Sequence, residues 1–115
     1  MMHITTSFDI SRLLSQQKNI GKTYLEFLRV PALSAGLYVL AVGEEDKQRP
    51  HTEDEIYYVV RGRGQFRVVE NGVARDLAVA AGAILYVPAH AEHRFHDISE
   101  DLALLVLFAP AETAV

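Results

Sequence analysis

An all-β fold, a sandwich or barrel of short strands with one short helix ahead of it, is what this sequence predicts. Three observations carry the prediction. Apolar residues recur with period two through most of the chain, Gly, Pro and Asp interrupt them at regular intervals, and an Asn-Gly pair sits between two of the runs.

The helix comes first. Ser7 or Asp9 can cap it, Ile10, Leu13 and Leu14 recur at helical spacing, and Asn19 and Gly21 stop it. It is expected to lie as a flap on the barrel. Segments of strand character follow at Tyr24–Val30, Leu37–Val42, Glu55–Arg61, Gln65–Glu70, Val73–Val79, Ala83–Val87, His93–Ile98 and Leu102–Ala109. Asn71-Gly72, between FRVVE and VARDL, suits the two positive φ angles of a type I′ hairpin turn. Pro31, Pro50, Pro88 and Pro110 fall at strand ends or in loops, where a residue without an N–H belongs. The alanine-rich tail AETAV is expected to fray.

A chain of 115 residues fits one domain, 1–115. Half of the residues are apolar and 23% are charged, so a packed core is expected rather than disorder. The net charge of −4 and pI near 5.7 give no basic field for a phosphate backbone. Nucleic acid is therefore disfavoured as a partner, and small molecules or copies of the same chain are favoured. With no cysteine, disulfides and thiolate chemistry are excluded, and any metal must sit on nitrogen and oxygen. MMHITTSFDI lacks the basic and apolar regions of a secretory signal, and no apolar run approaches a bilayer span, so a cytoplasmic location is expected.

His51, His90, His93 and His96 fall in the second half of the sequence or close to it, and Glu53, Asp54 and Glu55 follow directly on His51. Imidazole with carboxylate suits Zn, Mn, Fe or Ni, and two His with one carboxylate is the arrangement of non-haem iron sites. Lone histidines and acidic runs are usually surface features, so clustering alone leaves the metal reading open.

Spacing adds to this. Gly43 is followed by EEDKQ, Arg49-Pro50-His51, TED, Glu55, IYYVVR and Gly62; Gly82 is followed by AILYV, Pro88-Ala89-His90, AE, His93, RFH and Asp97. Both stretches, 43–62 and 82–97, resemble the two motifs of the cupin superfamily, with every spacing kept. Arg49 stands where the family has its first histidine, His90 where it has glycine, and Asp97 where it has asparagine. The resemblance implies a double-stranded β-helix, or jelly-roll, barrel, and one divalent metal ion on His51, Glu55 and His93. It also suggests a homodimer in which strands around Tyr24–Val30 pair across the interface.

Arg49 cannot ligate, because its guanidinium has no lone pair and stays protonated. A bulge at Pro50 could instead turn the amide oxygen of Gln48 inward as a further ligand. Arg49 itself could clamp an anionic substrate or could simply reach solvent. Period two points Tyr57, Val59 and Phe95 inward with Glu55 and His93, and makes Tyr57 either a core residue or a proton donor. Glu53 is expected to be a solvated loop carboxylate, His90 a turn residue, and His96 to face away from His93.

Two functions follow as expectations. One is a metal-dependent enzyme acting on a small organic molecule, anionic if Arg49 clamps it, as a dioxygenase, isomerase or lyase, with Arg49 and Tyr57 as its catalytic side chains. The other is a non-catalytic module that binds a small ligand as sensor or carrier. Fold does not choose between them.

Overall fold

The computed structural model describes residues 4–113. Helix α1 spans Ile10–Ile20; the Asp9 carboxylate caps it by accepting the Arg12 N–H at 3.0 Å, and Gly21, at φ +68°, ends it in the left-handed region. Its buried Gln17 extends a side-chain amide to the carbonyls of Lys22, Thr23 and Leu37, which fastens the helix to the sheet below.

Strands β1 (Tyr24–Val30) and β2 (Leu33–Leu40) form a hairpin. The segment expected from Leu37 to Val42 thus begins at Leu33 and ends at Leu40, because the turn after Val30 needs only residues 31–32. The segments expected at Glu55–Arg61 and Gln65–Glu70 are one strand, β3 (Asp54–Glu70). Likewise His93–Ile98 and Leu102–Ala109 are one strand, β6 (Glu92–Ala109). The ladder shifts register between Val59 and Gln65 instead of breaking. At its bend Gly62 adopts φ +98° and passes so close to β6 that a Cβ would lie 2.2 Å from the Asp101 carbonyl oxygen. β4 (Val73–Ala80) pairs with β3 through the Asn71-Gly72 turn, where both residues have positive φ, and β5 is Ile84–Val87.

All pairings are antiparallel, in the order β1-β2-β6-β3-β4, with β5 beside the first half of β3. Because β3 and β6 bend together, their first and second halves serve opposite walls, and the sheet closes into a jelly-roll barrel around Tyr57, Val59, Phe66, Phe95, Leu104 and Phe108. β1, the strand expected to take part in a dimer interface, pairs along one edge with β2 of its own chain and stands at the end of the sheet.

The C-terminal segment is not frayed as far as Thr113; the remainder of the alanine-rich tail lies outside the described residues. The Glu112 N–H donates to buried Ser34 Oγ at 2.9 Å, the Glu112 carbonyl accepts from Arg29 at 2.7 Å, and the Thr113 hydroxyl donates to Glu53 at 2.7 Å. Among the described residues no helix is long and apolar enough to cross a membrane.

Candidate metal centre

Alternation along the two bent strands assembles the centre. On β3 it turns Glu55, Tyr57 and Val59 into the barrel, and on β6 it turns His93 and Phe95 inward; all five are buried. His51 arrives from the loop before β3, which is tied to the loop before β6 by a 2.7 Å bond from the His90 N–H to the His51 carbonyl. One potential ligand atom each from His51, Glu55 and His93 lies within 4.8 Å of the others.

The protons in this cluster do not balance. His93 Nδ1 lies 2.8 Å from the Ala91 carbonyl oxygen, an acceptor, so that nitrogen carries hydrogen and a neutral ring presents a bare lone pair at Nε2. That lone pair lies 3.1 Å from Glu55 Oε1. Glu55 is 2% exposed, and among the described residues neither carboxylate oxygen has a hydrogen-bond partner. A buried carboxylate in that state is costly unless a cation meets it. The imidazoles respond accordingly. Burial pulls His93 down, but the Glu55 carboxylate outweighs it and holds the ring above its ordinary 6.5. His51 is also raised, chiefly by the Glu112 carboxylate beside it and against its own burial. Two imidazoles and a carboxylate starved of positive charge are a donor set that fits a divalent metal ion.

Gln48 and Tyr57 extend the cluster. The Tyr57 hydroxyl donates to Gln48 Oε1 at 2.8 Å and stands 3.1 Å from His93 Nε2, while Gln48 Oε1 lies 3.4 Å from His51 Nε2. The amide is oriented by buried Asp46, whose carboxylate accepts the Gln48 side-chain amide at 2.9 Å and its backbone N–H at 3.1 Å. With both amide hydrogens on one side, the carbonyl oxygen faces the histidines. Asp46 also accepts from the Tyr38 hydroxyl at 2.7 Å and the Phe95 N–H at 2.9 Å, so one carboxylate joins the loop to β2 and β6. Burial, with Glu55 beside it, pushes the Tyr57 phenol well above its ordinary 10, which keeps its proton in place.

The cavity outside the cluster measures about 400 Å³, with Tyr24, Tyr38, Val106 and Phe108 among its walls. Arg49 is exposed and is not among the residues of that wall; it lines a separate depression with Glu92 and Arg94 that reaches Gln48 and His93 from the other side. The arginine at the cavity is Arg29, already bound to Glu26 through both Nε at 3.0 Å and Nη2 at 2.7 Å. Glu53, expected in solvent, is instead buried between the Thr52 and Thr113 hydroxyls because the C-terminal segment folds over it. His90 occupies the turn at φ +69°, and His96 binds Asp76 at 2.9 Å on the outer surface.

Sequence reasoning missed Asp46, Arg29, Tyr24, Tyr38 and Glu112. Only Asp46 lies within a motif stretch. Tyr24 reaches the cavity because its ring lies over Gly36 of β2, where a Cβ would come within 2.3 Å of the phenol. Nothing short of the strand pairing signals that contact.

The family model of the cupin domain matches residues 36–109. An uncharacterized protein of Streptomyces coelicolor, SCO3923, is 43% identical over 107 residues, which are 93% of this chain and 98% of that protein. The crystal structure of TT1209 from Thermus thermophilus aligns over 91% of this chain and 97% of its own, at 25% identity and a TM-score of 0.70. The Fe(II) form of HppE with the alternative substrate (S)-1-HPP aligns over 74% of this chain and 48% of its own, at 17% identity and a TM-score of 0.63, a likeness of fold. With the family pattern matched from the second strand to the end of the last, and both of its motifs lying on the walls that carry the histidines, this chain belongs to the cupin domain family.

Proposed function

We propose that this chain is a metal-dependent enzyme holding one divalent ion on His51, Glu55 and His93, with Gln48 Oε1 as a further donor, and acting on a small organic molecule in the adjoining cavity. The Glu55 carboxylate, buried, without a hydrogen-bond partner among the described residues and close to two imidazoles, carries this reading. An ion bound there supplies Lewis acidity or activates oxygen, which fits a dioxygenase or an isomerase or lyase. The Fe(II) in a solved structure of similar fold supports a redox metal as one of the candidates among Fe, Mn, Zn and Ni.

The chain's own residues divide the remaining work. Tyr24, Tyr38, Val106 and Phe108 give the cavity its apolar wall and limit water. Tyr57 keeps its proton next to the donor cluster, where it serves as hydrogen-bond donor or acid to a bound molecule. Arg29 stands at the cavity wall paired with Glu26, and Arg49 can touch only what reaches the outer depression.

Purified protein, assayed for metal and then supplied with iron, should consume oxygen with some member of a panel of thiols, diketones and phenolic or carboxylic acids. H93A should lose both the metal and the turnover. Stoichiometric metal and tight ligand binding without turnover would support the sensor or carrier instead, and no metal after reconstitution would end the metal reading.

The homodimer is likewise a proposal. Outward-facing Ile56 pairs with Tyr86 on one side and Leu107 on the other, and Tyr58 with Ile84 and Leu105, giving an uncharged grid two rungs deep across three strands. Ile84 is 70% and Tyr86 62% exposed. A second copy laid against this face covers it, as two sheets pack in a sandwich. Sedimentation should give a dimer, and Y86E a monomer.

A further inference from the structure

Glu112 lies beyond the last strand and both motifs, yet its carboxylate reaches His51 and lines the same cavity as Gln48 and Glu55. Its Oε2 lies 3.1 Å from Nδ1 of His51, with both side chains largely shielded from solvent. The approach is an ion-pair contact, not an aligned hydrogen bond, and Nδ1 has no other partner among the described residues. The other ring nitrogen, Nε2, faces Gln48 Oε1 and through it Tyr57 and His93.

The carboxylate is held there. The residue's N–H is bonded to Ser34 Oγ and its carbonyl to Arg29, while Ala111 reaches the Pro31 carbonyl and Thr113 reaches Glu53. Backbone and neighbours on both sides are thus anchored to β1, β2 and the loop carrying His51. A loose terminal glutamate would leave the pocket for water; this one is fixed with its charge against one nitrogen.

We propose that Glu112 is a positioning residue for the metal centre: its carboxylate keeps a proton on His51 Nδ1 when a cation enters the cluster, so that Nε2 is the nitrogen that gives up its hydrogen and supplies the lone pair. The inference rests on the metal reading of the site. A ligating histidine commonly gives its second ring N–H to a carboxylate, which fixes the tautomer and makes the ligating nitrogen more basic. His93 gives its second nitrogen to the Ala91 carbonyl, so the two imidazoles are oriented by different acceptors, and only that of His51 is supplied from beyond the barrel.

The test uses the full chain with E112A and E112Q, titrated with Zn(II), and long-range 15N NMR of the imidazoles to assign the His51 tautomer with and without metal. Metal-loaded wild type should show the Nδ1–H form. E112A should mix tautomers and bind Zn(II) about 10–100-fold more weakly. E112Q, whose amide oxygen still accepts the Nδ1–H, should recover most of that loss and the tautomer. Equal affinity and an unchanged tautomer in E112A would overturn the inference while leaving the metal reading intact. A loss in E112Q as deep as in E112A would also overturn it, since the carboxylate would then be a direct ligand. If wild type bound no metal, the reading of the site would fall and this inference with it.

Discussion

Glu55 serves both the metal-free protein and the ion. Replacing it by glutamine removes the carboxylate that lies 3.1 Å from His93 Nε2 and holds that ring above its ordinary value, so E55Q should cost the metal-free protein stability at acidic pH, where His93 is protonated. The same change should abolish the thermal stabilisation that added metal gives the wild type. Thermal melts with and without metal check both halves. Asp46 is the second residue of this kind, since it accepts from the Tyr38 hydroxyl, the Phe95 N–H and two N–H groups of Gln48. In D46N one acceptor oxygen is replaced by a donor. At least one buried partner is stranded, at a cost of about 1–3 kcal/mol, and the Gln48 amide is free to turn its nitrogen toward the histidines. Calorimetry should show weaker metal binding together with a lower melting temperature.

At the level of elements, the two long bent strands bring the donors together, and the bend depends on Gly62. A Cβ there meets the Asp101 carbonyl and also requires φ near +98°. G62A should therefore cost roughly 2–3 kcal/mol, read as an earlier denaturation midpoint. The outer layer of β3, β4 and β6 is joined by Asp76, which bonds Arg67 at 3.0 Å and His96 at 2.9 Å. Arg67 and then His96 hold its carboxyl down from 3.8 to about 2. A depressed folded-state value means that this contribution to stability is complete above pH 3.8 and is lost as pH falls toward about 2. The slope of melting temperature against pH in that window should be smaller in D76N than in wild type.

For the molecule as a whole, an ion bound only by the folded barrel adds stability by mass action. At one hundred times the dissociation constant this is about 2.7 kcal/mol, so the melting temperature should climb with metal concentration and return on chelation. H93A should show no such climb.

Residue type and spacing determined a good deal. Period-two alternation fixes which side chains on a strand share a face, so the sequence alone puts Glu55 with Tyr57 and His93 with Phe95. Asn71-Gly72 determined its own turn, because a type I′ hairpin demands positive φ that these two residues accept. The two motifs brought His51 and His93 into one barrel, and the inward turn of Gln48 was open as one of two alternatives for the missing ligand. What local pattern cannot encode is contact between segments far apart in sequence. The glycine-containing stretch at 62–64 reads as a break, and only its pairing with β6 makes it a bend in a continuous strand. AETAV reads as a loose end because its composition offers nothing to bury, whereas Ser34, Arg29 and Glu53, all distant in sequence, supply its bonds. Arg49 has the chemistry of an anion clamp, but side-chain direction at the Pro50 turn sets it outside the cavity and leaves Arg29 of β1 at the wall. The donor types were set by sequence; the shortage of protons that makes them a metal centre arises only once folding has buried them side by side.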